Sequence, residues 1–231
     1  MDGTLLEIAA TPDAVRVEDS LKQLLLEVRH TLQGAVALVS GREIATLDRL
    51  FAPQIWPAAG VHGLERRDAT GTLHVQPFEG CRLDPARAAL AQIVARTPGT
   101  LLEDKGHSLA LHYRAVPDQE ASLRRAMQAV AAGLAPDCHV LAGKRVFELK
   151  PAIATKADAV REFMSEAPFA GRRPIYVGDD VTDLDGFGVV EHAGGLSVAV
   201  GDHVQAQVCV ASPRDLREFL ADLADRRSPT P

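Results

Sequence analysis

Apolar residues in this chain follow two recurring patterns, spaced helical faces and short unbroken runs. From Val17 to Leu32 the positions Leu21, Leu24, Leu25 and Val28 fall on one face of a helix. Ala35-Val36-Ala37-Leu38-Val39 follows, closed by Gly34 on one side and Ser40-Gly41 on the other, the mark of a strand buried on both faces. A second helix is expected from about Glu43 to Phe51. The same rhythm returns late in the chain. A helix is predicted over Lys156 to Ser165, a strand over Pro174 to Val177 and a short helix near Thr182 to Phe187. A strand over Gly195 to Val200 comes next, then a closing helix over Ser212 to Ala224 with Pro213 in its first turn. Alternating helices and buried strands predict an α/β fold, a Rossmann-like layer around a parallel sheet.

Between these stretches the pattern changes. A helix from Asp84 to Ala95 precedes short strands at Thr100 to Asp104 and Ser108 to Tyr113, joined through Lys105-Gly106-His107. Another helix, Gln119 to Leu134, precedes strands at His139 to Ala142 and Arg145 to Leu149, turned by Gly143-Lys144. Tight hairpins make antiparallel pairs, which cannot simply extend a parallel sheet. The chain therefore reads as a core part over 1–80, a small inserted α+β cap over 81–149, and a second core part over 150–231. The tail 226–231 reads as disordered.

Composition narrows the partners. A net charge of -6 with no basic stripe argues against nucleic acid. No apolar run approaches the roughly 20 residues that cross a bilayer, and no signal peptide opens the sequence. Cys81, Cys138 and Cys209 lack metal-ligand spacing and suit a reducing compartment. A soluble cytoplasmic protein is expected.

The chemistry is concentrated at strand ends. Val177-Gly178-Asp179-Asp180-Val181-Thr182-Asp183 ends an apolar strand in a glycine and three carboxylates. Ligands of parallel sheets bind beyond the carboxyl ends of the strands. One acid would suffice to cap the following helix. Three repel one another unless a cation intervenes, and hard oxygen ligands beside a phosphate suit magnesium. Val39-Ser40-Gly41-Arg42 offers a hydroxyl and backbone amides opening a helix, a natural phosphate seat, although Ser-Gly is also an ordinary cap. Asp2-Gly3-Thr4 supplies an acid, a turn and a hydroxyl, and Lys156 supplies a positive charge at a helix start.

In this order and spacing the four elements resemble the signatures of haloacid-dehalogenase-type phosphatases: Asp-x-Asp-Gly-Thr, a strand-terminal Ser or Thr, a Lys, and Gly-Asp-Asp-x-x-Asp. Gly60-Val61-His62-Gly63-Leu64-Glu65-Arg66-Arg67, Glu103-Asp104-Lys105-Gly106, Leu111-His112-Tyr113-Arg114 and Gly143-Lys144-Arg145-Val146-Phe147-Glu148 are similar to stretches of the trehalose-6-phosphate phosphatases. The likeness runs nearly end to end. It implies hydrolysis of trehalose 6-phosphate to trehalose and phosphate through an aspartyl phosphate. Asp2 would act as general acid and base, Ser40 would bind a phosphoryl oxygen together with Gly41 and Arg42, and Lys156 would steady the charge. Mg2+ would be held by Asp179, Asp183 and the Asp2 backbone carbonyl, with Asp180 in support. Glu103, Lys105 and Glu148 would grip the sugar, and His62 would lie near the same pocket. A trehalose-6-phosphate synthase would be the functional partner.

Two departures stand out. The first Asp of the opening motif belongs two positions before Asp2, so the reading expects a natural start farther upstream, with an apolar strand ending in that Asp. It also expects the 231-residue form to be a poor enzyme. Around the lysine, Pro151-Ala152-Ile153-Ala154-Thr155-Lys156 lacks the usual glycines, which leaves Lys150 as a second candidate. The competing readings are a phosphatase for another sugar phosphate, such as a sucrose or mannosylglycerate precursor, and an inactive sugar-phosphate-binding regulator.

Overall fold

The computed structural model describes residues 1–9, 11, 14–76 and 83–225. The tail 226–231 and Cys81 lie outside the described residues. The first elements are α1 (Asp19–Thr31), β1 (Leu38–Val39), α2 (Ile44–Phe51), β2 (Ala58–Gly60), β3 (Glu65–Arg67) and β4 (Leu73–Val75). Next come α3 (Asp84–Arg96), β5 (Leu101–Asp104), β6 (Leu109–His112), α4 (Glu120–Ala132), β7 (Cys138–Gly143) and β8 (Val146–Pro151). The chain ends with α5 (Lys156–Ser165), β9 (Ile175–Gly178), α6 (Leu184–His192), β10 (Leu196–Val200), β11 (Val208–Val210) and α7 (Pro213–Asp225). It divides into two compact units, Met1–Val75 with Thr155–Pro231, and Gln76–Ala154.

In the first unit β9, β10 and β11 form a parallel sheet in the order β11-β10-β9. β1 pairs in parallel with β2, and β3 and β4 continue antiparallel. The expected parallel sheet is therefore present in two pieces, each with one strand, β1 or β9, whose outer side has no strand among the described residues. Both strands border an apolar groove of about 570 Å³, whose walls include Met1, Val36, Val39, Ile175 and Val177. The predicted strand over Ala35 to Val39 is correspondingly reduced to Leu38–Val39. The amides of Leu38 and Ser40 donate to Pro57 and Ala59 on the β2 side, so alternation turns the Val39 amide toward the groove. Upstream, Val36 bends back to donate to Gly34, which ends the extended run.

Helical signals held more closely. α5 starts where Thr155 and Asp158 form a reciprocal capping box, and α1 buries Leu21, Leu25 and Val28. Leu21 and Leu25 pack with Leu38, Leu47, Phe51 and Trp56 in the main core of this unit. The short helix expected near Thr182 is a 3-10 turn, Val181–Asp183, that runs straight into the longer α6.

The second unit has its own core. Its antiparallel sheet runs β5-β6-β8-β7, and one face packs Leu109, Leu111, Phe147 and Leu149 against Leu90, Leu123 and Met127 of the two helices. On the opposite face the register aligns Glu103 with Ala110 and Ala110 with Glu148, so two carboxylates share a row. Cys138 is buried in this core, and Cys209 is exposed.

Candidate active site

Ser40 is buried at the end of β1 and accepts a hydrogen bond from the Arg42 amide at 3.1 Å, closing a tight turn. The stretch from Gly60 to Arg67 holds that turn in place. The Val61 amide donates to the Arg42 carbonyl and the His62 amide to the Ser40 carbonyl, each at 3.0 Å. The His62 ring packs on Gly41 so tightly that a Cβ there would strike it. Glu65 accepts from the Ile44 amide at 2.5 Å and so caps α2 from a neighbouring strand. Arg66 binds Glu162 and Glu166 at 2.6 Å each, and Arg67 binds Asp48. Much of this sequence block is therefore scaffolding for the Ser40 turn.

Arg42 forms a two-point ion pair with Asp2, Nε to Oδ2 at 2.7 Å and Nη2 to Oδ1 at 3.1 Å. Burial alone would raise the Asp2 carboxyl. The Arg42 guanidinium outweighs it and holds the group below its ordinary value. Two residues on, the Thr4 hydroxyl donates to Asp179 Oδ1 at 2.6 Å. Gly3, with φ at +77°, leaves no room for a Cβ beside the Asp179 carboxylate. The opening turn thus touches both the Ser40 turn and the acidic loop, and the distant stretches meet around it.

Asp179 and Asp183 have different surroundings. Burial pushes the Asp179 carboxyl above its ordinary value, despite the bond from Thr4. Asp183 is more deeply buried, which would raise it, but Lys156 draws it down instead. Its Oδ1 receives Lys156 Nζ at 2.7 Å and the Tyr176 hydroxyl at 2.8 Å, and its Oδ2 receives the amides of Asp179 and Asp180 at 3.1 and 3.2 Å. Four donors fill the acceptor positions of one carboxylate. Asp183, expected as a metal ligand, organises the loop and the lysine in this structure. Among the described residues, no group of three or more His, Cys, Asp or Glu side chains is placed to hold a metal ion. Asp179 nevertheless suits a hard cation: it is a buried carboxylate whose charge is costly in the absence of one. Asp180 accepts from the Val181 amide at 2.8 Å and caps the turn.

The two candidate lysines separate cleanly. Lys156 faces Asp183, whereas Lys150 lies in the other unit and donates to the Ala154 carbonyl at 2.6 Å. In that second unit Glu148 is buried, accepting from Ser108 Oγ at 2.6 Å and from Lys105 Nζ at 3.2 Å. Glu103 pairs with His112 Nε2 at 2.8 Å. The structure thus brings Lys105 and Glu148 together and places Glu103 in the same row of the sheet. Sequence reading missed Tyr176, Ser108 and the role of Thr4. Tyr176 looks like an ordinary core aromatic in an apolar strand, and Ser108 like the opening residue of a hairpin strand, so neither carried a local signal.

Comparison with known proteins completes the picture. Residues 1–222 match the family model described as Trehalose-phosphatase. A probable trehalose-phosphate phosphatase of Sinorhizobium fredii is 43% identical over 227 residues, covering 97% of this chain and 85% of that protein. The trehalose-6-phosphate phosphatase of Escherichia coli is 42% identical over 201 residues, covering 87% and 75% respectively. The C-terminal domain of a C. albicans trehalose-6-phosphate phosphatase shares the fold, with a TM-score of 0.86 at 24% identity over 96% of this chain and 89% of that one.

Proposed function

The chain belongs to the trehalose-phosphatase family, and we propose that it hydrolyses trehalose 6-phosphate to trehalose and phosphate. The observation that carries this reading is the convergence of Asp2, Arg42, Ser40 and Asp179 on the opening turn, with Lys156 tied to the same acidic loop through Asp183. The fold is the Rossmann-like α/β layer of the haloacid dehalogenases.

Each residue has a separate task in this reading. Ser40 and the Arg42 guanidinium bind phosphoryl oxygens, and Lys156 offsets the charge that spreads over them during transfer. Asp2 first gives a proton to the leaving sugar oxygen and then, as the carboxylate that Arg42 favours, takes one back from the attacking water. His62 is assigned to the floor of the phosphate seat through its packing on Gly41. The phosphoryl acceptor of the family's opening motif belongs two positions before Asp2. Asp179 and the Asp2 carbonyl are the groups we assign to Mg2+, which supplies charge neutralisation when bound. Glu103, Lys105 and Glu148 are assigned to the sugar hydroxyls, since carboxylates accept from such groups and an ammonium donates to them. A synthase that joins two sugars and leaves the phosphate in place would supply this substrate.

The test is phosphate release from a panel of trehalose 6-phosphate, sucrose 6-phosphate and glucose 6-phosphate with Mg2+. It is run on the 231-residue chain and on a form extended to carry Asp two positions before Asp2. Preferential turnover of trehalose 6-phosphate over the other two esters by the extended form is the expected result. Faster turnover of another sugar phosphate would replace the substrate, and binding without turnover in both forms would make the protein a sugar-phosphate sensor.

A further inference from the structure

We propose that Tyr176 is a positioning residue for Lys156, acting through the carboxylate they share, an assignment that rests on the phosphatase reading of the site. Lys156 Nζ and the Tyr176 hydroxyl both donate to Asp183 Oδ1, at 2.7 and 2.8 Å. A lysine ammonium is a compact charge on a flexible stem, so its location depends on what anchors it. A carboxylate held from one side only can rotate about its own bond. The other oxygen is fixed by the amides of Asp179 and Asp180, and Tyr176 fixes the oxygen that the lysine uses.

The surroundings hold the phenol rigidly. Tyr176 is buried on β9, with its ring edge-on to Phe187 at 5.8 Å between centroids. Gly186 of α6 lies under the ring, where a Cβ would stand 2.9 Å from two ring carbons. Gly178 leaves the space into which Asp183 folds back, and a Cβ there would collide with its carboxylate. Ring, glycines and carboxylate therefore form one packed unit whose exposed product is the direction of the Lys156 ammonium. A phenylalanine would fill the same core volume, so the hydroxyl is the part that packing does not require.

A double-mutant cycle on the 231-residue chain tests this, with Tyr176→Phe, Lys156→Gln and the pair. The readouts are orthophosphate binding by calorimetry and thermal unfolding. Tyr176→Phe is expected to weaken phosphate binding about 3- to 10-fold, the effect of one hydrogen bond to a charged network. That loss should disappear in the Lys156→Gln background, because the hydroxyl then has no ammonium to place. Phosphate binding unchanged in Tyr176→Phe, or a loss that adds in full to that of Lys156→Gln, would overturn the proposal. If the parent binds no orthophosphate, the unfolding cycle decides the Tyr176–Lys156 coupling, with strict additivity counting against it, while phosphate release by the extended form decides the phosphatase reading separately. Should Tyr176→Phe fail to fold, Gly186→Ala enters the same cycle, because it displaces the hydroxyl without removing it.

Discussion

Asp2 and Asp179 sit on either side of one turn and respond to acid with opposite sign. Asp2 lies below its ordinary 3.8, so its ion pair with Arg42 contributes stability above that pH and loses it as the pH falls through the lower folded value. Arg42→Gln should therefore lower the melting temperature at pH 7, and the deficit should shrink below about pH 3.8, as seen by thermal unfolding across pH. Asp179 lies above 3.8, so its charge opposes folding at neutral pH and the penalty fades as the group takes up its proton. Asp179→Asn is expected to raise the melting temperature in metal-free buffer at pH 7 and to abolish the shift that added Mg2+ produces in the parent. A fall in melting temperature with the Mg2+ shift intact would contradict the assignment of the cation to Asp179. At this scale position along the chain was legible and role was not: Ser40, Arg42 and Lys156 stood at strand and helix ends, and the resemblance to the phosphatase signatures singled them out. The division of labour between Asp179 and Asp183 depends on Lys156 and Tyr176 reaching the same oxygen, which no spacing along the chain encodes.

Elements were legible in proportion to how locally they are decided. α5 begins at its predicted residue because Thr155, Lys156 and Asp158 carry their own start signal. Thr155→Ala should cost about 0.5–2 kcal/mol in urea unfolding, and by loosening the first turn it should also reduce phosphate affinity through Lys156. The hairpin of β3 and β4 and the strand β2 went unread. Their ladders are three residues long and their stability comes from pairing with one another and from Arg66 and Arg67, not from an apolar pattern. β1 was read too long, since an apolar run predicts a strand only where both sides find partners.

For the whole molecule, the sequence changes pattern near Cys81 and Leu149, where hairpin signals replace buried runs. The unit Gln76–Ala154 encloses a core of its own, built from both helices and one sheet face. Expressed alone, residues 76–154 should unfold cooperatively on heating, as judged by circular dichroism; a featureless melt would show that the core needs the rest of the chain. The first unit presents the opposite case. Its two sheet fragments border an oily trench, with backbone donors such as that of Val39 turned into it. A surface of that kind is adhesive. At rising concentration such molecules zip together rim to rim, so the 231-residue protein should light up a hydrophobic dye and scatter light in a manner that salt does not suppress. A short greasy β-forming peptide should quench both signals by filling the trench, and purification that includes one should yield the better-behaved sample.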